Sequence, residues 1–135
     1  NRQIKFMLDW LIIGGGIHGT HLAHALTHGL GIPPDAVRIL DPNDRLLAAW
    51  SRRTANTGMR YLRSPRVHHI DIDPRSLEHF AQTQGDEPSD LWIDPYYRPS
   101  YALFQNHFQY VIDTYQLDRL HIRGQAMALH RVEGG

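Results

Sequence analysis

The sequence contains no cysteine, which excludes a disulfide framework and any thiolate metal site and suits a reducing compartment. Neither charge is in excess, since 14 Lys and Arg face 14 Asp and Glu. A surface built mainly to neutralise nucleic-acid phosphates is therefore not expected. Long apolar runs are also missing. Runs such as Trp10 to Ile13 fall far short of the ~20 residues that cross a bilayer as a helix. No basic, apolar and small-residue series marks a secretory signal. These absences lead us to expect a cytoplasmic protein with no nucleic-acid or membrane partner. What remains, 135 residues with 41% apolar content, reads as a single globular domain over 1–135 with a real core. The chain starts at Asn1 and stops soon after an expected strand, so this domain is expected to be an incomplete part of a larger protein.

The hydrophobic period changes along the chain. Leu8 to Ile13 is apolar and β-prone apart from Asp9, predicting a buried first strand. From Ile17 to Leu30 the period is helical; at about 100° per residue, Gly19, Leu22, Leu26 and Leu30 share the side expected to face a sheet. His21, His24 and His28 share the opposite, solvent side. Gly29, Gly31, Pro33 and Pro34 close this helix, and Asp35 to Asp41 reads as a second strand that Pro42 terminates. A strand, a helix and a strand in about thirty-five residues predict a right-handed, parallel βαβ unit. Further on, Arg45 to Arg53 and Ser76 to Gln84 read as short helices, the second with Leu77, Phe80 and Ala81 inward. Thr54 to Asp73 and Gly85 to Pro99 read as mostly irregular. Ser100 is a plausible N-cap for a helix whose inward side carries Phe104, Phe108, Val111, Ile112 and Tyr115. Leu120 to Ile122 and Ala126 to Val132 read as a third parallel strand followed by an antiparallel one.

The pattern Gly14-x-Gly16-x-x-Gly19 sits directly after the first strand and at the start of the first helix, where a dinucleotide-binding turn needs it. Gly14 permits the tight turn. Gly16 lets the backbone approach a pyrophosphate, and Gly19 allows close packing of helix on sheet. The N–H groups of Gly15, Gly16, Ile17 and His18, at the positive end of the helix, complete the candidate phosphate site. Asp41 closes the second strand about twenty residues later, where an acid accepts hydrogen bonds from an adenosine ribose, with Pro42 beside it. Its charge would repel a 2′-phosphate and so favours FAD or NAD over NADP at this site. The plainer alternative is a tight turn that Asp41 merely caps.

In this setting the chain resembles the N-terminal FAD-binding region, of Rossmann type, found in flavoprotein monooxygenases. FAD-binding units often carry a small residue four positions after the third glycine, where Ala23 stands. The segment Asp41-Pro42-Asn43-Asp44-Arg45-Leu46-Leu47-Ala48-Ala49-Trp50 resembles the stretch in flavin-containing and Baeyer–Villiger monooxygenases in which two acids and a Gly-Gly-x-Trp element follow in order; Leu47 and Ala48 stand where that element has glycines. Thr57 to Pro65 is similar to the segment of the lysine and ornithine N-hydroxylases that leads to the flavin's Arg- and Leu-containing loop. The resemblance implies an α/β fold with a parallel sheet flanked by helices, FAD as cofactor with Trp50 near it, and adenine contacts from the backbone around Met127. It further implies an NADPH-binding second domain, absent from this chain, and hydroxylation of a small-molecule substrate by the whole protein. The fragment alone would then bind FAD without completing a reaction. A different class, a non-catalytic NAD- or ligand-sensing module, would share the first half of the pattern.

Other groups admit two readings each. Arg52, Arg53, Arg60, Arg63 and Arg66 form a basic cluster that could meet cofactor phosphates or an anionic substrate, or be a solvated loop paired with Asp71, Asp73 and Glu78. Arg60 is the strongest candidate because Gly58 beside it suggests an unusual backbone. The stripe His21, His24 and His28 has metal-ligand spacing but no carboxylate close in sequence, and reads as a solvent face rather than a metal site. Trp50, Trp92, Tyr96 and Tyr97 could stack on a flavin or fill the core.

Overall fold

The computed structural model describes residues 7–85 and 88–134. Its centre is a three-stranded parallel sheet in the order β1-β2-β5, formed by β1 (Trp10–Ile13), β2 (Val37–Asp41) and β5 (His121–Arg123). Ile12 pairs with Ile39, and Ile39 with His121. The crossover from β1 to β2 runs through α1 (Ile17–His24), which continues into a π-helical turn (Ala25–Gly29). Thr27 Oγ1 donates back to the Ala23 carbonyl at 2.8 Å there. This is the expected βαβ unit, in an α/β Rossmann-like fold with helices against the sheet.

Four further helices follow: α2 (Ala48–Ala55), α3 (Ser76–Gln82), α4 (Pro88–Leu91) and α5 (Tyr101–Tyr115). The strands β3 (Trp92–Ile93) and β4 (Arg98–Pro99) form a small antiparallel pair before α5. Asp86 and Glu87, in the stretch expected to be irregular, lie outside the described residues. Ser100 caps α5 as its residue type suggests, its hydroxyl accepting the Leu103 N–H at 3.1 Å. The inward side of α5 buries Phe104, Phe108, Val111 and Ile112, with Tyr115 partly covered, against Ile12, Val37 and Ile39 of the sheet and Ala23 and Leu26 of α1. Among the described residues no helix is long and apolar enough to cross a membrane.

Three expectations are corrected. The first strand is not buried, since only Ile12 is covered while Trp10, Leu11 and Ile13 are 45%, 51% and 64% exposed. The reason is one-sided cover. Both α1 and α5 pack on the Ile12–Val37–Ile39 face, and the Leu11–Ile13–Leu40–Ile122 face is exposed or half-buried. Second, the histidine side of α1 is not a solvent face. His24 is fully buried because the 69–76 segment and Tyr115 of α5 close over it, with the Tyr115 ring 4.3 Å away, whereas Leu22 and Leu30 are exposed. Third, Ala126 to Val132 forms no strand. With no ladder partner the stretch stays irregular, and Met127 is 86% exposed.

The packing sets two magnitudes. Phe104→Ala should cost about 3–5 kcal/mol by emptying the space between α5, Trp50 and the sheet. Ser100→Ala should cost about 1 kcal/mol through the lost cap. Denaturant unfolding followed by far-UV circular dichroism checks both, and equal losses would refute the ranking.

Candidate functional site

The glycine turn is held from three directions. Gly14 lies at φ +110°, a conformation that favours glycine, and its N–H extends the sheet by donating to the Leu40 carbonyl at 2.9 Å. Gly15 donates its N–H to Asp41 Oδ2 at 2.8 Å, and its carbonyl accepts the Leu47 N–H at 2.7 Å. Gly19 lies so close to the turn that an added Cβ would sit 1.9 Å from the Gly14 carbonyl oxygen. Gly16 differs from Gly15 and Gly19, because a Cβ there would meet nothing within 4 Å, and from Gly14, because its φ of −79° is open to any residue. It therefore borders the open space into which α1 points its N-terminus.

That N-terminus has the character of an anion site. Gly16 is its N-cap, no side chain caps it, and no acidic residue lies in its first turn. The protein thus leaves the positive end of the helix uncompensated just where the glycine backbone gives access. Ile17 and His18 line the adjoining cavity of about 670 Å³, together with Trp50, Met59, Leu62 and Arg63. The phosphates of a dinucleotide fit the turn, and the cavity is large enough for the half of the molecule beyond them.

Asp41, at the end of β2, is 92% buried by the fold and fully engaged on one side. Its Oδ1 accepts both the N–H and the side-chain amide of Asn43, at 2.8 and 2.7 Å, and its Oδ2 accepts Gly15. Burial alone would raise its pKa, but these hydrogen bonds outweigh burial and hold the carboxyl below the ordinary value. Asp41 therefore does cap the turn, and Oδ2 keeps one acceptor position for a ribose hydroxyl. The two readings of this residue are compatible. Pro42 next to it is exposed, and its carbonyl accepts Arg123 Nε at 3.3 Å.

Other expected site residues are placed less uniformly. Trp50 lines the cavity, yet its ring is stacked on Tyr101 at 5.7 Å and packs on Phe104 and Phe108 of α5, so it serves the core and the cavity wall together. Arg60 is exposed and lines a separate cavity of about 470 Å³ with Tyr61, Asp90 and Asn106; of the arginine cluster it is Arg63 that borders the cavity beside the turn. Arg66 pairs with Glu78 at 3.1 Å and lies over the Tyr97 ring, as the solvated-loop reading expects. Met127 stands in the exposed irregular stretch. Leu47 adopts the left-handed conformation, φ 60°, that a glycine would take most easily in its place.

Sequence reasoning missed Leu46, whose side chain lies 3.1 Å from where a Gly15 Cβ would stand, and the Thr54–Tyr101 hydroxyl contact at 2.8 Å that braces Trp50. It also missed the partner of His24, because Asp71 lies 47 residues away. Among the described residues no three His, Cys, Asp or Glu side chains converge as metal ligands.

The model of the FAD-NAD(P)-binding family matches residues 11–135 of this chain, from β1 through the irregular stretch after β5. The chain belongs to that family. Its glycine turn, open at Gly16 and tied to Asp41, is the corresponding structural feature, and the chain is an FAD- or NAD(P)-binding domain of the kind that serves flavin-dependent oxidoreductases. Searches of curated proteins and of solved structures give no match.

The distinct surroundings of two glycines give a direct check. Gly19→Ala should destabilise the fold by about 3 kcal/mol or more, since neither the Gly14 backbone nor Ile12 can give way by the needed distance. Gly16→Ala should change stability by about 0.5 kcal/mol or less. Thermal unfolding of the two variants should separate them clearly, and comparable melting temperatures would contradict the packing described.

Proposed function

We propose that this chain is the FAD-binding part of an NAD(P)H-dependent flavin oxidoreductase, in the whole protein a monooxygenase that hydroxylates a small molecule. The observation that carries this reading is the contrast within the turn. Gly14 is held by its positive φ and its bond to Leu40, and Gly15 and Gly19 have close neighbours, while Gly16 has ordinary φ and faces open space at an uncapped helix N-terminus. Backbone N–H groups there would hold the pyrophosphate, and Asp41 would accept a ribose hydroxyl. When bound, the flavin supplies the electron-transfer chemistry, and the protein supplies position and exclusion of water.

The cavity lined by Ile17 and His18, the first residues of α1, supports a flavin over a simple phosphate ligand, because it has apolar and aromatic walls in Trp50, Met59 and Leu62. Asp41 favours FAD or NAD over NADP at this turn, so NADPH belongs to a second domain in this proposal. The order of Asp41, Asp44 and Trp50 along the chain supports the monooxygenase assignment by resemblance. A non-catalytic NAD-sensing module is the competing reading, and ligand preference distinguishes the two.

Titration of FAD, NAD and NADPH by fluorescence or calorimetry tests the proposal. FAD should bind most tightly, Gly16→Val should abolish that binding with the fold retained, and Asp41→Ala should weaken it by about 1–3 kcal/mol. Tight NAD binding without flavin affinity would replace the enzyme reading with the sensor reading. In the longest gene product, bleaching of bound flavin by NADPH would be the expected sign of the complete reductive half-reaction.

A further inference from the structure

A partly buried chain of polar contacts, separate from the glycine turn, joins α1, α3 and α5 through Asp71. His24 Nε2 on α1 lies 2.9 Å from Asp71 Oδ1. The other carboxylate oxygen accepts the hydroxyl of Ser76, the first residue of α3, and Ser76 Oγ lies 2.9 Å from His107 Nε2 on α5. His24 and His107 are both fully buried. Two further contacts fasten the same segment, His21 Nδ1 to the Ile70 carbonyl at 3.0 Å and His69 Nε2 to the Pro74 carbonyl at 3.0 Å.

The direction of these bonds fixes a tautomer. The Asp71 carboxylate can only accept, so Ser76 donates its proton to it and must accept from His107. His107 therefore carries its hydrogen on Nε2, and its Nδ1, buried and without a partner, is a bare acceptor. A proton added at Nδ1 would be a buried charge facing no acceptor. Parting α5 from α3 and the 69–76 segment would expose that charge to water.

Segment 62–72 contributes Leu62, Arg63, Ser64, Val67 and His68 to the cavity wall that also contains Ile17 and His18. We propose that the Asp71–Ser76–His107 chain is a proton-operated latch, in which proton uptake at His107 breaks its contact with Ser76, removes the hold of α5 on segment 62–72 and loosens the cavity wall beside the glycine turn. The movement is inferred from these contacts, and its effect on a bound dinucleotide rests on the function proposed above.

Around the latch, the lowering effects on the histidines outweigh the raising ones. Burial and the neighbouring His69, whose ring lies 5.0 Å from that of His107, lower the pKa of His107 to about 4, with Asp71 opposing them. Burial also lowers His69, against the raising effects of the Pro74 carbonyl and Asp71, while His21 assists the lowering. Beyond Asp71 stand His24, His28 and Tyr115, and burial, His24 and Arg119 lower His28 as well. Burial would raise Asp71, but the hydrogen bonds from His24, Ser76 and Ile72 keep it well below the usual carboxylate range, so it stays ionised throughout. An opened His107 regains its ordinary value of 6.5. Below that pH the open form binds a proton that the closed form refuses, so the closed form loses up to about tenfold in relative population per pH unit until about pH 4.

Amide hydrogen exchange on the full chain, corrected for the intrinsic effect of pH, tests the latch at about pH 7.5 and about pH 5. In the wild type, protection of segment 62–72 should fall by about tenfold more than that of β2. In His107→Gln, which keeps a donor to Ser76 but cannot titrate, that protection should persist. Equal protection at both pH values in the wild type, or the same loss in His107→Gln, would overturn the latch. If His107→Gln fails to fold, seen as lost β2 protection at the higher pH, nuclear magnetic resonance of the wild-type His107 ring decides: its titration must coincide with the opening, and opening without it refutes the mechanism. FAD affinity should fall in step with exposure of the segment, and unchanged affinity on opening would overturn the link to the cavity. Absence of FAD binding at every pH would count against the functional reading alone, since exchange still reports on the latch.

Discussion

The hydrogen bond from the Gly15 N–H to the Asp41 carboxylate joins the two parts on which the rest of the domain depends, the turn after β1 and the end of β2. Parallel strands cannot be connected by a tight hairpin, so the turn and the strand end meet only because α1 crosses between them. The carboxylate then binds Asn43 as well, drawing the loop after β2 over the turn, and Leu47 closes it by donating to the Gly15 carbonyl. With these contacts in place, Gly16 is left with room beside it and a backbone conformation that does not itself demand glycine.

The domain combines this polar lock with a core that covers one face of the sheet. Phe104, Phe108, Val111 and Ile112 of α5 supply most of the large apolar surface, and Trp50 joins them from the side of the cavity. Trp50 is thereby held by packing rather than left mobile, which makes it a rigid wall. The buried histidines His24, His69 and His107 take positions that apolar residues could fill, and they are tolerated because Asp71, His28, the Pro74 carbonyl and Ser76 meet all of their ring nitrogens but His107 Nδ1.

Short-range features were legible in the sequence and long-range ones were not. The glycine spacing, the helical period after it, the N-cap at Ser100 and the acid ending β2 all act over a few residues or one βαβ unit, and each stands where the pattern put it. The face of α1 was misread because a helical wheel cannot tell solvent from a segment arriving 47 residues later; His24 becomes internal only when Asp71 meets it. The expected last strand failed for a related reason. The run of apolar residues between Ala126 and Leu129 suggests a strand, but of the stretch to Val132 only Val132 is of a strand-favouring type, and no neighbouring strand supplies a partner ladder. Arg60 and Arg63 are three residues apart yet border different cavities, a distinction that depends on the path of an irregular segment.

Leu47 shows how a departure from a glycine pattern can be neutral for the backbone it replaces. A left-handed leucine costs about 1–2 kcal/mol relative to the usual conformation. Its side chain is 1% exposed, and burying it returns about 1.5–3 kcal/mol. The two terms nearly cancel, so the same loop shape is available to glycine and to leucine, one through an unrestricted backbone and the other through an anchored side chain. Divergent chains can therefore lose glycines from this loop while retaining its geometry, and the surviving signature is the bond pattern rather than the residue type.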